Sequence, residues 1–248
     1  MNARPEAIGE DVRTGRGGRA QPGGGGVHRL TAHARAANGL RPDLALIADW
    51  IEPGSRVLDL GCGDGELLDF LQREKRCHGY GVEIDDTQVL ACARRGVDVI
   101  QQNIEAGLGM FAGTRFDVVV LSMAIQATHR TERVLREMSQ VGREGIVSFP
   151  NFGHWYHAWS ILKGRMPVSR EMPYQWYDTP NLHLSTLPDF EDFLAHLGLV
   201  VRARACLAYG RPVRLLPALR STQAIYRFGV PGPADPATGR GPLERGAA

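Results

Sequence analysis

The chain has 248 residues, 43% of them hydrophobic, and a formal net charge of +2. That length supports one α/β domain with a real core and leaves little room for a second, and the near-neutral total gives no electrostatic case for a nucleic-acid partner. No apolar run approaches the roughly 18–20 residues of a membrane span and the start lacks the apolar core of a signal peptide, so a cytoplasmic protein without a membrane partner is expected. The four cysteines, Cys62, Cys77, Cys92 and Cys206, form no C-x-x-C pair and no zinc spacing, which predicts free thiols in a reducing compartment and no metal site.

Residues 1–37 include Pro22-Gly23-Gly24-Gly25-Gly26 and an Arg/Gly-rich run from Arg13 to Arg19. They offer almost nothing apolar to bury, so a disordered tail is expected; Glu6, Glu10 and Asp11 dilute its charge as a nucleic-acid arm. The Pro/Gly-rich stretch 231–248 is expected to be loose for the same reason, which leaves the ordered domain at 39–228. Pro42 to Trp50 reads as a helix, with Leu44, Ile47 and Ile51 at helical spacing. A first strand over Val57–Leu60 leads into a helical pattern over Glu66–Leu71. A second strand lies near 78–84, and a helix from Thr87 ends at Gly96. The third strand falls near 97–100 and the fourth at Phe116–Ser122. A helix at about 130–140 turns Val134, Leu135 and Met138 inward before a fifth strand at Gly145–Phe149. Apolar strands separated by helices predict an α/β fold, a doubly wound, mostly parallel sheet of Rossmann-like type. Phe190–Leu197, then 199–208 and 222–228, read as helix, strand, strand and predict a closing C-terminal antiparallel hairpin.

The turn after the first strand, Asp59-Leu60-Gly61-Cys62-Gly63-Asp64-Gly65, is the strongest functional signal. Glycines let the backbone turn sharply and let a ligand approach the main chain, at the carboxyl end of a strand where such sheets bind nucleotides. The dinucleotide fingerprint fails here, because its third glycine is replaced by Glu66. Asp59 would repel a pyrophosphate, yet a carboxylate suits a ligand carrying an ammonium and a sulfonium. A second acid, Glu83, ends the second strand about 20 residues on, the spacing at which an acid meets ribose hydroxyls.

On these residues the chain resembles the class I S-adenosylmethionine-dependent methyltransferase fold. The resemblance implies that Gly61, Cys62, Gly63 and Gly65, with Asp59, wrap the methionine part of S-adenosyl-L-methionine (SAM) or S-adenosylhomocysteine (SAH). It implies that Glu83, beside Ile84, binds the ribose. Asn103, beside Ile104, stands where the fold often has an Asp facing the adenine amine, and an amide oxygen can still accept that bond.

After the fifth strand come Phe149-Pro150-Asn151-Phe152-Gly153-His154-Trp155 and then Pro173-Tyr174-Gln175-Trp176-Tyr177-Asp178-Thr179-Pro180-Asn181-Leu182-His183. This reads as an unusually long aromatic loop over the carboxyl ends of the strands, where substrates or partners bind. With Leu40-Arg41-Pro42-Asp43-Leu44 and Ile47-Ala48-Asp49-Trp50-Ile51, these segments resemble the methionine biosynthesis protein MetW family over about 39–228. The resemblance implies a SAM-binding, methyltransferase-like accessory role in methionine biosynthesis beside a homoserine O-acyltransferase of the MetX type. The alternative is a SAM-dependent methyltransferase acting on a small molecule.

Methyl transfer needs positioning, plus a base when the acceptor carries a proton. The place after the fourth strand holds Ser122-Met123-Ala124-Ile125-Gln126 and not the Asn/Asp-Pro-Pro-aromatic motif of amino-methylating relatives, so catalytic residues stay unassigned. His154, His157 and His183 are the candidate bases, each also readable as a packing residue. His154 and His157 lack a third ligand at metal spacing. Arg165 and Arg170 are candidates for holding an acidic substrate or partner, or are simply solvated. No Gly-x-Ser-x-Gly elbow is present, which argues against a Ser-type acyltransferase. Phe152, Trp155, Trp176 and Tyr177 are expected either to contact the acyltransferase or to cap the sheet's own core.

Overall fold

The computed structural model describes Ala36 and residues 39–232. Apart from Ala36, Pro231 and Gly232, the tails expected at 1–37 and 231–248 lie outside the described residues. The first half runs α1 (Pro42–Trp50), β1 (Arg56–Leu60), α2 (Glu66–Lys75), β2 (His78–Glu83), α3 (Asp86–Arg95), β3 (Val99–Gln101) and β4 (Phe116–Ser122). The second runs α4 (Thr131–Val141), β5 (Gly142–Pro150), α5 (Trp155–Leu162), α6 (Leu187–His196), β6 (Val200–Ala208), β7 (Arg211–Pro212), α7 (Pro217–Arg220) and β8 (Gln223–Gly229).

The strands form one sheet in the order β3-β2-β1-β4-β5-β8-β6-β7. β1 to β5 are mutually parallel, and β8 pairs antiparallel with both β5 and β6. The chain therefore skips a place on leaving β5, and the last strand returns to fill it, placing Val147 opposite Tyr226. This is the α/β, mostly parallel sheet with C-terminal antiparallel strands that the pattern predicts.

Alternation along β4 shows why the sheet is covered on both sides. Val118 and Val120 join one buried cluster with Ile47 of α1, Leu67 and Leu71 of α2 and Cys92 of α3. Val119 and Leu121 join the other, with Leu135 and Met138 of α4 and Phe190 and Leu194 of α6. Successive strand side chains point to opposite faces, so a strand apolar at every position needs helices above and below it.

The helix boundaries follow local chemistry. Pro42 sits in the first turn of α1, where its missing N–H costs nothing. The Asp85 carboxylate accepts the Thr87 and Gln88 N–H groups at 2.8 and 3.1 Å to start α3, and Gly96 ends it at φ +75°. One expectation is refined: the long aromatic loop contains a helix, α5, whose N-cap is His154. No helix among the described residues is long and apolar enough to cross a membrane.

Candidate functional site

β1 ends at Leu60, and the glycine turn follows with Gly61, Gly63 and Gly65 at φ +67°, +57° and +77°. All three lie in the left-handed region that residues with a Cβ rarely adopt. Crowding adds a second reason, since a Cβ on Gly61 would meet Ala124 Cβ at 3.3 Å and one on Gly65 would meet Cys92 Sγ at 3.1 Å. The turn is thus pressed between the β4–α4 connection on one side and α3 on the other.

Glu83 is the clamp of this turn. One carboxylate oxygen accepts the Gly63 N–H at 2.9 Å, and the other accepts those of Ile84 and Asp85 at 2.8 and 3.0 Å. The second acid therefore holds the glycine loop onto the end of β2, a role that spacing alone does not reveal. The adjacent Ile84 side chain is 61% exposed, leaving an apolar surface at the strand end. Asn103 and Ile104 come to the end of β3, where the Asn103 side chain accepts the Glu105 N–H at 2.9 Å and starts a short 3-10 turn. Cys62 lies under the turn with its Sγ 3.8 Å from that of Cys92. That hydrogen bond, with burial, pushes the Cys62 thiol well above its ordinary pKa, so it stays a thiol. The cysteines at 62, 77, 92 and 206 are all unbridged.

Asp59 is buried, with 3% of its surface exposed, and its carboxyl makes no hydrogen bond among the described residues. Burial raises its pKa to about 7, against the opposing charge of Arg41 and with the like charge of Glu83. Arg41, at the N-terminus of α1, was not singled out as a site residue by the sequence pattern. Its Nη2 donates to Asp43 Oδ2 at 3.0 Å and to Ser122 Oγ at 3.5 Å, while its Nε–H is buried without an acceptor. Ser122 continues to Ser148 Oγ at 3.0 Å, and that hydroxyl also accepts the Met123 N–H at 3.0 Å. This polar cluster ties α1 to the ends of β4 and β5 and places a cation beside Asp59. A buried acid and a buried donor, each short of a partner, together match a ligand bearing both an ammonium and a carboxylate.

The candidate bases are placed differently from one another. His154 caps α5, its Nδ1 accepting the Tyr156 N–H at 3.3 Å, and the His157 ring lies 3.2 Å from the Phe152 carbonyl oxygen. Both are buried, and burial lowers the pKa of each, so they are neutral structural imidazoles. His183 instead lines a cavity of about 850 Å³ between α4 and α6. Arg165 and Arg170 fall in the segment between α5 and α6. Among the described residues no group of three or more His, Cys, Asp or Glu side chains is arranged to hold a metal ion.

The aromatic residues from the end of β5 onward divide sharply. Phe149 is in the core and Phe152 is half-buried. Trp155, Trp159, Leu162, Trp176 and Tyr177 stand in solvent, with Trp155 57% and Trp176 72% exposed.

Comparison with known proteins bears on the fold and the family. A SAM-dependent methyltransferase from Mesorhizobium loti superposes with a TM-score of 0.56 at 17% identity, covering 74% of this chain and 95% of that one. A TehB-like SAM-dependent methyltransferase from Corynebacterium glutamicum gives 0.53 at 14% identity over 77% of this chain and 88% of that one. At such identities these likenesses establish the fold. The bifunctional methionine biosynthesis protein MetXA/MetW of Rhodopirellula baltica is 37% identical over 172 residues, 65% of this chain. The chain spans only 28% of that relative's length. The family profile described as methionine biosynthesis protein MetW matches residues 41–228, and the chain belongs to that family.

Proposed function

We propose that this chain is a SAM-binding accessory subunit that docks on a homoserine O-acyltransferase and supports homoserine acylation in methionine biosynthesis. The observation that carries the docking is the exposed aromatic face of α5 and the segment after it. A helix presenting Trp155, Tyr156, Trp159, Ile161 and Leu162 to solvent is the kind of apolar patch a protein covers with a partner, and Trp and Tyr dominate interface energetics. The name of the Rhodopirellula relative joins MetXA and MetW in one polypeptide, which favours physical association of the two activities. The test is acyl transfer to homoserine by the purified acyltransferase with and without this chain. A severalfold rise in rate on addition is expected, and no change overturns the reading.

For the cofactor, the residues of the cleft fit SAM or SAH. Asp59 would take the ammonium, Arg41 the carboxylate and the glycine turn the methionine backbone, with Ile84 as an apolar bed for the adenine. Glu83, which already holds the turn, would position the ribose contacts. When bound, SAM supplies an electrophilic methyl group. His154 is taken up in capping α5, and His157 is buried with one ring nitrogen on the Phe152 carbonyl and its Nε2 without a partner; this favours binding without transfer. Formation of SAH from SAM in the same assay would instead favour the methyltransferase alternative.

The Asp59 carboxyl provides a pH signature. Its pKa of about 7, against 3.8 for an ordinary aspartate, means that the folded protein binds the extra proton between those limits. Its contribution to stability therefore falls as pH rises through that window. An ammonium placed against it favours the charged form, so cofactor binding at pH 6 ejects the proton. Calorimetry of SAH binding at pH 6, in buffers of different ionisation enthalpy, is expected to show release of about one proton. At pH 8 it should show almost none, and Asp59→Asn should remove the difference. The absence of proton release from the unsubstituted protein at pH 6 would defeat the assignment.

A further inference from the structure

We infer that the cavity between α4 and α6 is a second ligand site, separate from the glycine turn, for a small organic anion with a flat apolar body. The space is about 850 Å³, within the range of small-molecule sites. Its floor is aromatic: Phe149, Phe190 and Phe193 line it, and the first two rings lie 4.6 Å apart between centroids. Its roof is the segment through His183, fixed by the Leu182 and His183 N–H groups, which donate to the Gln126 carbonyl at 2.8 and 3.1 Å. Such a slot accepts a planar apolar group between floor and roof.

The mouth selects charge. The N-terminus of α4 opens there, and Arg130 at its N-cap contributes no capping side chain. Glu105 already accepts the Arg130 N–H at 2.7 Å, and the N–H groups of the first turn beyond it favour an anion. Two acids at the mouth are already neutralised, Glu132 by Arg136 at 3.0 Å and Glu137 by Arg133 at 2.7 Å. Asp189 is occupied with the Thr186 hydroxyl at 2.6 Å. The side chains of Arg130, His129 and His183 carry no hydrogen bond or ion pair among the described residues. The groups left over at the mouth are thus cationic or proton-donating. On the inner wall Gln126 is 9% exposed, with its Nε2 donating to the Met123 carbonyl at 2.7 Å and its Oε1 without a donor. A ligand N–H or O–H reaching past the Leu182–His183 roof would supply one.

The probe 8-anilino-1-naphthalenesulfonate has these parts: a flat ring system, an N–H and a sulfonate. Fluorescence titration of the full chain is expected to show one saturable site. Arg130→Glu, on an exposed side chain without a partner, should weaken it at least fivefold while leaving the fold intact. Phe193→Gln, at the half-buried part of the floor, should do the same. Trp159→Ala should leave the affinity unchanged, because that ring belongs to the exposed face, and saturating SAH should not displace the probe. No saturable binding, an unchanged affinity in Arg130→Glu, loss of binding in Trp159→Ala, or displacement by SAH each overturns the site. Because the direct titration needs no acyltransferase, and SAH enters only as a competitor, its failure is separable from that of the docking reading.

Discussion

Replacing Trp155 and Trp159 together by alanine is expected to abolish co-purification with the homoserine O-acyltransferase while leaving the fold intact. Both rings stand more than half in solvent, and the Trp159 ring carries Lys163 Nζ 5.0 Å above its centroid, a surface cation–π contact. Substitutions at such positions change folding stability by about 0.5 kcal/mol or less, a melting shift of about 1–2 °C for a domain of this size. A tryptophan at an interface centre contributes about 2 kcal/mol or more to binding, so the affinity should fall at least thirtyfold. The support of acylation should be lost in parallel. The measurements are a melting curve, a pull-down and the acylation rate on the same preparation. A stable double variant that still binds its partner defeats the docking face. Unfolding of the variant would mean that the rings pack more than their exposure shows, and Leu162→Ser, at a side chain 78% exposed, then tests the face alone.

The second large effect is expected at Glu83. Its carboxylate takes the N–H groups of Gly63, Ile84 and Asp85, and each charge-assisted bond of this kind is worth about 1.5–3 kcal/mol. Glu83→Ala leaves those donors, the Gly63 N–H among them buried, without that acceptor and releases the turn that shapes the cleft. SAH binding should weaken at least tenfold by calorimetry, with a lowered melting temperature. Glu83→Gln keeps an acceptor oxygen and should fall between the two proteins. An unchanged affinity in Glu83→Ala would mean that the turn does not hold the cofactor. Tighter binding of NAD than of SAH by the unsubstituted chain would redirect the site altogether.

Most of the architecture is legible in the sequence. α1, α2, α3 and β4 fall where helical spacing, the glycines at 61–65 and 96 and the apolar run at 116–122 put them. α5 was not legible, and the reason is physical. Its outward residues are Trp, Tyr, Ile and Leu, so the polar face that marks a surface helix is missing and periodicity cannot separate helix from loop. His154 is also a poor N-cap signal beside the usual Ser, Thr, Asp or Asn. β5 begins at Gly142, earlier than its apolar run, because parallel pairing with β4 extends the strand through Arg143 and Glu144.

Within the site, the chain itself specified the glycine turn, its two acids and the absence of a dinucleotide fingerprint, because these depend on residue type at short spacing. It also determined the family, through local words such as Pro150-Asn151-Phe152-Gly153-His154-Trp155 that need no fold to be recognised. Tertiary structure alone decided three things. It brought Arg41 beside Asp59 across the ends of β4 and β5, a juxtaposition created only when α1 packs on the sheet. It turned Glu83 inward onto Gly63, which depends on how two strand ends meet rather than on their separation in sequence. It also sorted the aromatic residues from the end of β5 to Tyr177 into a buried ring at Phe149 and exposed rings at Trp155, Trp159, Trp176 and Tyr177. Composition counts apolar side chains, but which of them lose water is settled by what packs over each one.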